Sequence, residues 1–494
     1  MIGGAVAAGS PYTVEAGLFA LARGGNAVDA AVAAQLAACV AEPLLTGLGG
    51  GGLAIVRTPQ AEVEVCDFFS DAPGRDGRVG GERVEVVIDF GPTTQAFAAG
   101  AASVAVPGLP AGIWALHQRH GRLPMTTLVE PAVRMAHEGV AVLKGFERVA
   151  ALLWPILTLS AEAAALMGVD GRPLREGDTF RCPTLGDTLA RFAVEGPALF
   201  RTGDAAAAML RALGAERWLS EPDLTEYAPA FRRPLGVEQG GVKLWVPGAP
   251  SQGGALTARA VLALWSKGPL PPPLTAAHVV RIAAAMDAAE RGRPPDWPAR
   301  LFEQGFVPRW LGAGYTTHVS AVDGEGRAVA ITSSLGETCG LLVPETGVLL
   351  NNFMGETDVN PPDFPRAAGS RLMTMCCPTL LELPDGRVFA MGSGGSSRIR
   401  SAVLHGLVYL SENGLTPAQT VQAPRAHYEE GLLRVETMER EPAEVARLRA
   451  QFPDLVAFDQ PGMYFGGLHI AGVGREGFEG AGDPRRSGSF GCFA

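Results

Sequence analysis

The chain has 494 residues, of which 47% are hydrophobic and 19% charged, with 64 Gly and 38 Pro. A chain of this length can bury roughly three-quarters of its unfolded surface, which excludes disorder for most of it and sets an upper limit of about three domains. The 51 acidic against 41 basic residues give a formal charge of −10, and no basic run exceeds a pair such as Arg485-Arg486, so nothing offers a basic stripe to nucleic acid.

The start, Met1-Ile2-Gly3-Gly4-Ala5, has no basic region, and the apolar stretch Ala27 to Ala41 is interrupted by Asp29 and Gln35. Neither a signal peptide nor a membrane span is read there. Seven cysteines, an odd number without a CxxC, fit reduced thiols and a cytoplasmic enzyme, although a secreted chain shorn of its leader has the same composition.

The first element opens at Ser10-Pro11-Tyr12, where Val14, Leu18 and Leu21 recur at helical spacing and Gly24-Gly25 stops the helix. Asn26 caps a second helix with Asp29 in its first turn, small and apolar from Ala30 to Val40 and ending at Glu42-Pro43. Gly47 to Gly52 then leads into a buried strand, Leu53-Ala54-Ile55-Val56. Between Val106-Pro107-Gly108 and Leu143 two helices flank Gly121-Arg122-Leu123-Pro124, and residues 145–240 read as mostly helical. Lys267 to Pro273 and Arg291 to Pro298 read as surface loops. Thr317 to Val322 and Ala328 to Ser333 form a hairpin about Asp323-Gly324-Glu325-Gly326, and Leu380 to Leu383 with Val388 to Met391 form another. Gly392-Ser393-Gly394-Gly395-Ser396-Ser397 follows and opens onto a helix from Arg398 to Leu410. Helices, then hairpins, then helices predict a layered α+β architecture with antiparallel strands at its centre.

Several patterns are chemically weak. Gly47, Gly49 and Gly52 match GxGxxG in spacing, but a helix precedes and a strand follows, the reverse of a dinucleotide fold, so a tight backbone crossing is the better reading and no cofactor is expected. His117 and His120 lack a third ligand, and adjacent Cys376 and Cys377 diverge, so no metal is expected. No GxSxG nucleophile elbow is present. The glycine-serine loop at 392–397 can aim backbone N–H groups at an oxyanion, or simply cap a helix. Thr316, in Gly314-Tyr315-Thr316-Thr317-His318-Val319-Ser320, is either a β-former or a nucleophile whose own amine serves as base, which requires the chain to be cut before it.

Along almost its whole length the sequence resembles the γ-glutamyltransferase (γ-glutamyl transpeptidase) family of N-terminal-nucleophile hydrolases, which includes cephalosporin acylases. The resemblance rests on Gly24-Gly25-Asn26-Ala27-Val28-Asp29-Ala30-Ala31, Glu42-Pro43 through Gly52, Val106-Pro107-Gly108, Thr316-Thr317-His318-Val319-Ser320 with Asp323, Leu349-Leu350-Asn351-Asn352, and Gly392-Ser393 with Ser397-Arg398-Ile399. It implies a four-layer αββα sandwich, cut between Tyr315 and Thr316 into a large subunit, 1–315, and a small one, 316–494, that stay together as one heterodimeric domain. Thr316 is then the nucleophile and its freed amine the base, Ser334 stands where the family has a threonine that bonds the nucleophile, and the N–H groups of Gly395 and Ser396 hold the oxyanion, Ser396 replacing a usual glycine.

The acyl pocket departs further from the family. In Asp67-Phe68-Phe69-Ser70, Phe69 stands where transpeptidases have the arginine that grips the glutamyl α-carboxylate. Glu356 replaces the aspartate that binds the α-amino group, Gly336 a usual asparagine, and Thr374 and Met375 the paired serines; the stretch Asp358 to Arg371 is shorter than in lid-bearing members, which implies a more open cleft. Losing a buried charge-assisted contact costs on the order of a few kcal/mol. The implied activity is therefore amide hydrolysis or acyl transfer on a small-molecule amide through an acyl-threonine, with the acyl preference moved away from γ-glutamyl. Two alternatives stay open: an authentic γ-glutamyl hydrolase on glutathione-like substrates, with Arg75 or Arg371 supplying the missing charge, and an unprocessed, non-catalytic metabolite-binding relative.

Overall fold

The computed structural model describes residues 3–89, 94–291, 315–356, 360 and 366–493. Its central strands are β1 (Gly4–Ala8), β2 (Gly51–Arg57), β3 (Val63–Phe68), β4 (Ala230–Arg232), β5 (Leu235–Gln239), β6 (Val242–Val246), β7 (Tyr315–Asp323), β8 (Ala328–Gly336), β9 (Thr379–Glu382), β10 (Val388–Gly394), β11 (Gly467–Val473), β12 (Phe478–Ala481) and β13 (Ser489–Phe493). They form two antiparallel sheets, one of seven strands in the order β4-β3-β2-β8-β7-β1-β13 and one of six in the order β5-β6-β9-β10-β11-β12. The principal helices are α1 (Pro11–Ala22), α2 (Ala27–Ala41), α3 (Leu109–His120), α4 (Met125–Glu138), α5 (Gln252–Trp265), α6 (Ala276–Arg291) and α7 (Arg398–Ser411).

The layers follow from where each strand sends its alternate side chains. On the seven-stranded sheet Val6, Val319, Val329 and Ile331 pack outward on α1, α2 and α4, while Ala5, Ala7, Ala328 and Ala330 face Ala390 and Ala471 of the other sheet. Residues this small let the two sheets approach closely. The outer face of the six-stranded sheet is covered by α5, α6 and α7 through Leu264, Ile282, Val403 and Leu407. This is the αββα sandwich that the sequence implies.

Local chemistry fixes the helix ends. The Asn26 side chain accepts from the N–H groups of Val28 and Asp29, at 2.8 and 3.0 Å, and Asp29 returns the bond to the Asn26 N–H at 2.9 Å. Asp29 also accepts from the N–H groups of Arg122 and Leu123, so the cap of α2 ties down the turn between α3 and α4. Every residue of α2 is buried, which only a helix this rich in alanine can be on all sides. The sequence reading of 145–240 as mostly helical misses β4 and β5, short strands that continue one sheet each; three to five residues at a sheet edge carry too little periodicity to be seen. Most of the loop Arg291 to Pro298 lies outside the described residues. No described helix is long and apolar enough to cross a membrane.

Two histidines make this fold acid-sensitive. His278 on α6 bonds the Pro271 carbonyl oxygen at 2.9 Å beneath Tyr409, His469 lies inside β11, and burial pushes each down to about 4. Both protonate near 6.5 once unfolded, so the unfolded chain binds more protons between pH 6.5 and 4 and stability falls as pH drops through that window, by roughly 2 kcal/mol per histidine at pH 5. Urea unfolding at pH 7 and pH 5 measures this; identical midpoints would contradict it.

Candidate active site

Thr316 and Ser334 lie opposite one another on β7 and β8, and the register slips between Tyr315 and Thr316. The extra residue is Leu335 on β8, so the bulge lies directly across from the Tyr315-Thr316 bond. The Thr316 hydroxyl donates to the Ser334 hydroxyl at 3.4 Å, and Ser334 in turn donates to the Tyr315 carbonyl oxygen at 2.8 Å while accepting from the Gly336 N–H at 2.9 Å. One serine thus orients the Thr316 hydroxyl and polarises the carbonyl next to it. Both side chains are buried, with 4% of each residue exposed, so these contacts act in a poorly screened environment.

The glycine cluster gives β8 its close neighbours. A Cβ on Gly50 would lie 2.1 Å from the Ser334 carbonyl oxygen, and one on Gly49 would lie 2.1 Å from that of Leu349. This is a backbone crossing, as its order relative to helix and strand indicates.

The loop after β10 reaches the same point from the other sheet. A Cβ on Gly394 would lie 1.8 Å from the Thr316 carbonyl oxygen, so only glycine lets β10 end against Thr316. Gly395 and Ser396 follow with φ of +121° and +50°, and α7 begins two residues later. Neither of their N–H groups meets an acceptor among the described residues. Ser396 occupies the left-handed region that glycine enters freely, at a cost of roughly 1–2 kcal/mol for a residue with a Cβ.

Two charged residues lie near this point, Arg486 against the Thr316 carbonyl oxygen and Glu42 against the neighbouring Thr317, and sequence reasoning gave neither a role. Glu42, just past α2, accepts from Thr13 at 2.7 Å and from Thr317 at 2.5 Å, and burial pushes its carboxyl above the usual range. Arg486 is buried with Nη1 3.5 Å from the Thr316 carbonyl oxygen. A glutamate at a helix end and a basic pair near the C-terminus read as surface; only the fold puts them inside. His117 and His120 point apart, to the Leu123 carbonyl oxygen and to Glu64, each at 2.7 Å.

The gamma-glutamyltranspeptidase family model matches residues 13–294 and 273–492. The chain belongs to the gamma-glutamyltranspeptidase family, whose members are enzymes. Among its relatives, the Acylase ACY 1 proenzyme of Pseudomonas sp. (strain SE83) is 29% identical over 88% of this chain and 84% of its own, and the glutathione hydrolase proenzyme of Arthroderma benhamiae is 28% identical over 86% and 82%. The crystal structure of cephalosporin acylase from Bacillus halodurans shares the fold, with a TM-score of 0.82 at 23% identity over 99% of this chain and 96% of that one.

The residues expected to line an acyl pocket are spread over separate clusters. Phe69 is buried and stacks on Phe353 with ring centroids 4.6 Å apart, in a cluster with Leu53, Leu372 and Cys376. Arg371 is occupied by the Phe69 carbonyl oxygen, by Tyr227 at 2.6 Å, and by Asp71 and Asp67 at 3.3 and 3.4 Å. Arg75 pairs with Glu226 at 3.1 Å and Asp71 at 3.5 Å. Glu356 lies against Gly336, where a Cβ would come 2.8 Å from its Oε1 and 2.1 Å from Asn352 Oδ1, so the Asn352 amide fills the space of a side chain at 336. Thr374 Oγ1 accepts from the Cys376 N–H at 3.1 Å, whereas Met375 packs with Met373 and Cys377 in the core under the helices of the six-stranded sheet. The adjacent cysteines do diverge, into separate clusters. Of the short stretch Asp358 to Arg371, only Asn360 and residues 366–371 are described.

Replacing Ser396 by glycine removes the left-handed penalty, so Ser396→Gly should be neutral or stabilising by up to about 1 kcal/mol with activity retained, and Ser396→Val should destabilise. Thermal unfolding of the two variants tests this; a glycine variant that melts well below the wild type would refute it.

Proposed function

We propose that this chain is an autoprocessing amide hydrolase or acyltransferase with Thr316 as nucleophile and an acyl pocket that has moved away from γ-glutamyl groups. The observation that carries the reading is the contact of Ser334 with both the Thr316 hydroxyl and the Tyr315 carbonyl oxygen, across a bulge. In processing, Thr316 Oγ1 adds to the Tyr315 carbonyl carbon, the C–N bond to Thr316 breaks as its nitrogen takes a proton, and water hydrolyses the resulting ester. The products are a Tyr315 carboxylate and a free Thr316 amine. That amine then takes the proton from its own hydroxyl as Oγ1 attacks a substrate amide, the N–H groups of Gly395 and Ser396 hold the oxyanion, and the amine returns the proton to the leaving nitrogen. Water or an acceptor amine releases the acyl group from Thr316.

The shifted specificity is supported by three features. Phe69 brings an aromatic face where a guanidinium would be needed, Arg371 is committed to Asp67 and Asp71, and Arg75 to Asp71 and Glu226. These commitments weigh against the glutathione-directed alternative, because pulling either arginine onto a substrate carboxylate breaks ion pairs it already makes with Asp71, Asp67 or Glu226. An acyl group without a free α-carboxylate suits this pocket. The seven free thiols support a reducing, cytoplasmic setting.

Intact mass spectrometry of the purified protein should show fragments of 315 and 179 residues, and Thr316→Ala should leave one chain of 494. An active but uncut wild type would rule the mechanism out. Ser334→Ala should slow cleavage roughly 100-fold, the usual cost of losing one such donor. Given γ-glutamyl and plain acyl anilides side by side, the cleaved enzyme should turn over the plain acyl compounds faster; equal rates would argue against a shifted pocket.

A further inference from the structure

Arg486 stands out because its charge is buried without a carboxylate of its own. Its Nη1 lies 3.5 Å from the Thr316 carbonyl oxygen, and Nε has no hydrogen-bond partner among the described residues. A Cβ on Gly395 would lie 3.2 Å from Nη2, and one on Gly394 3.3 Å from Nη1, so the guanidinium lies directly against the loop that meets the nucleophile. The nearest acids are engaged elsewhere: Asp483 with Arg425 at 2.5 Å and Arg485 at 3.3 Å, Glu42 with Thr13 and Thr317.

We propose that Arg486 is a positioning residue that holds the Thr316 backbone against the Gly394-Gly395 loop and whose charge keeps the amine freed at Thr316 in its unprotonated, basic form. This rests on the reading of Thr316 as an N-terminal nucleophile. The amine is one residue's width from the carbonyl oxygen that Arg486 approaches, which puts the two charges within roughly 7 Å. A cation at that distance in a partly buried site disfavours a second positive charge and lowers the amine by about one pH unit. The other charged and titratable groups facing Arg486 are Glu42 at the end of α2, Asp483 before β13, Arg398 at the start of α7 and the Tyr315 phenol. Arg398 acts in the same direction as Arg486. Glu42, Asp483 and the Tyr315 carboxylate formed by the cut oppose it; burial raises the Glu42 carboxyl and Asp483 is paired with two arginines, which leaves Arg486 and Arg398 to outweigh the new carboxylate. Burial lowers Arg486 itself only to about 10, so it stays charged at neutral pH.

The test starts from the cleaved wild-type enzyme, confirmed by intact mass, with 15N-threonine in the chain so that the Thr316 amine can be titrated by NMR. The amine should titrate below the ordinary α-amino range of about 7.7–8.0. In cleaved Arg486→Met the titration and the acid limb of the kcat/KM profile on an acyl anilide should both move up by about one pH unit, and Arg486→Lys should restore them. A purely structural role would lower the rate at every pH and leave the limb in place. A cleaved wild type whose amine titrates in the ordinary range overturns this inference whether or not the variants mature, as does an Arg486→Met limb that does not move. An uncut, active wild type overturns the N-terminal-nucleophile reading and this inference together.

Discussion

The contact on which the site depends is backbone against backbone: Gly394 of one sheet meets the Thr316 carbonyl oxygen of the other, with no room for a Cβ between them. Two sheets held apart by ordinary side chains stand about 10 Å from each other. Here Ala5, Ala7, Ala328 and Ala330 face Ala390 and Ala471, and the end of β10 touches the start of β7 at the Thr316 carbonyl oxygen. The same closeness excludes water, and each polar contact around Thr316 counts for more than it would in solvent.

Topology decides what a cut at this point could do. β1, from the extreme N-terminus, is hydrogen-bonded between β7 and β13, so strands from both sides of the Tyr315-Thr316 bond alternate in one sheet. Breaking that bond would detach only Tyr315, paired with Gly336, from β7 and leave the pairings from Thr316 onward in place. The bulge confines the irregular backbone to one position, next to a register that is otherwise regular from Thr316 to Val322.

The polar residues behind the site are placed by buried ion pairs that contribute specificity of position more than stability. Arg425 with Asp483 and Arg485 with Glu436, each at 2.5 Å, pin the turn that leads into Arg486, and Asp483 also accepts from the Leu468 N–H of β11. Arg371 does the corresponding work on the opposite side, holding the Phe69 backbone and Asp71 together. The surroundings of Phe69 are therefore shaped by an arginine that touches its backbone.

Much of this was legible in the chain itself. The caps at Ser10 and Asn26, the alanine run of α2, the two hairpins and the glycine-serine loop are local signals, because capping, periodicity and turn chemistry act over a few residues. The family resemblance also pointed to Thr316, Ser334 and the 395–396 loop, which the fold brings close to one another. The sequence could not place Glu42 beside Thr317 and Arg486 beside Thr316, send Met375 into the core, add β4 and β5 to the sheets, or show that Arg75 and Arg371 are already paired. Each of these depends on which distant segments meet, and burial of a charge or the partner of an arginine is a property of that meeting and not of the residue's neighbours in the chain.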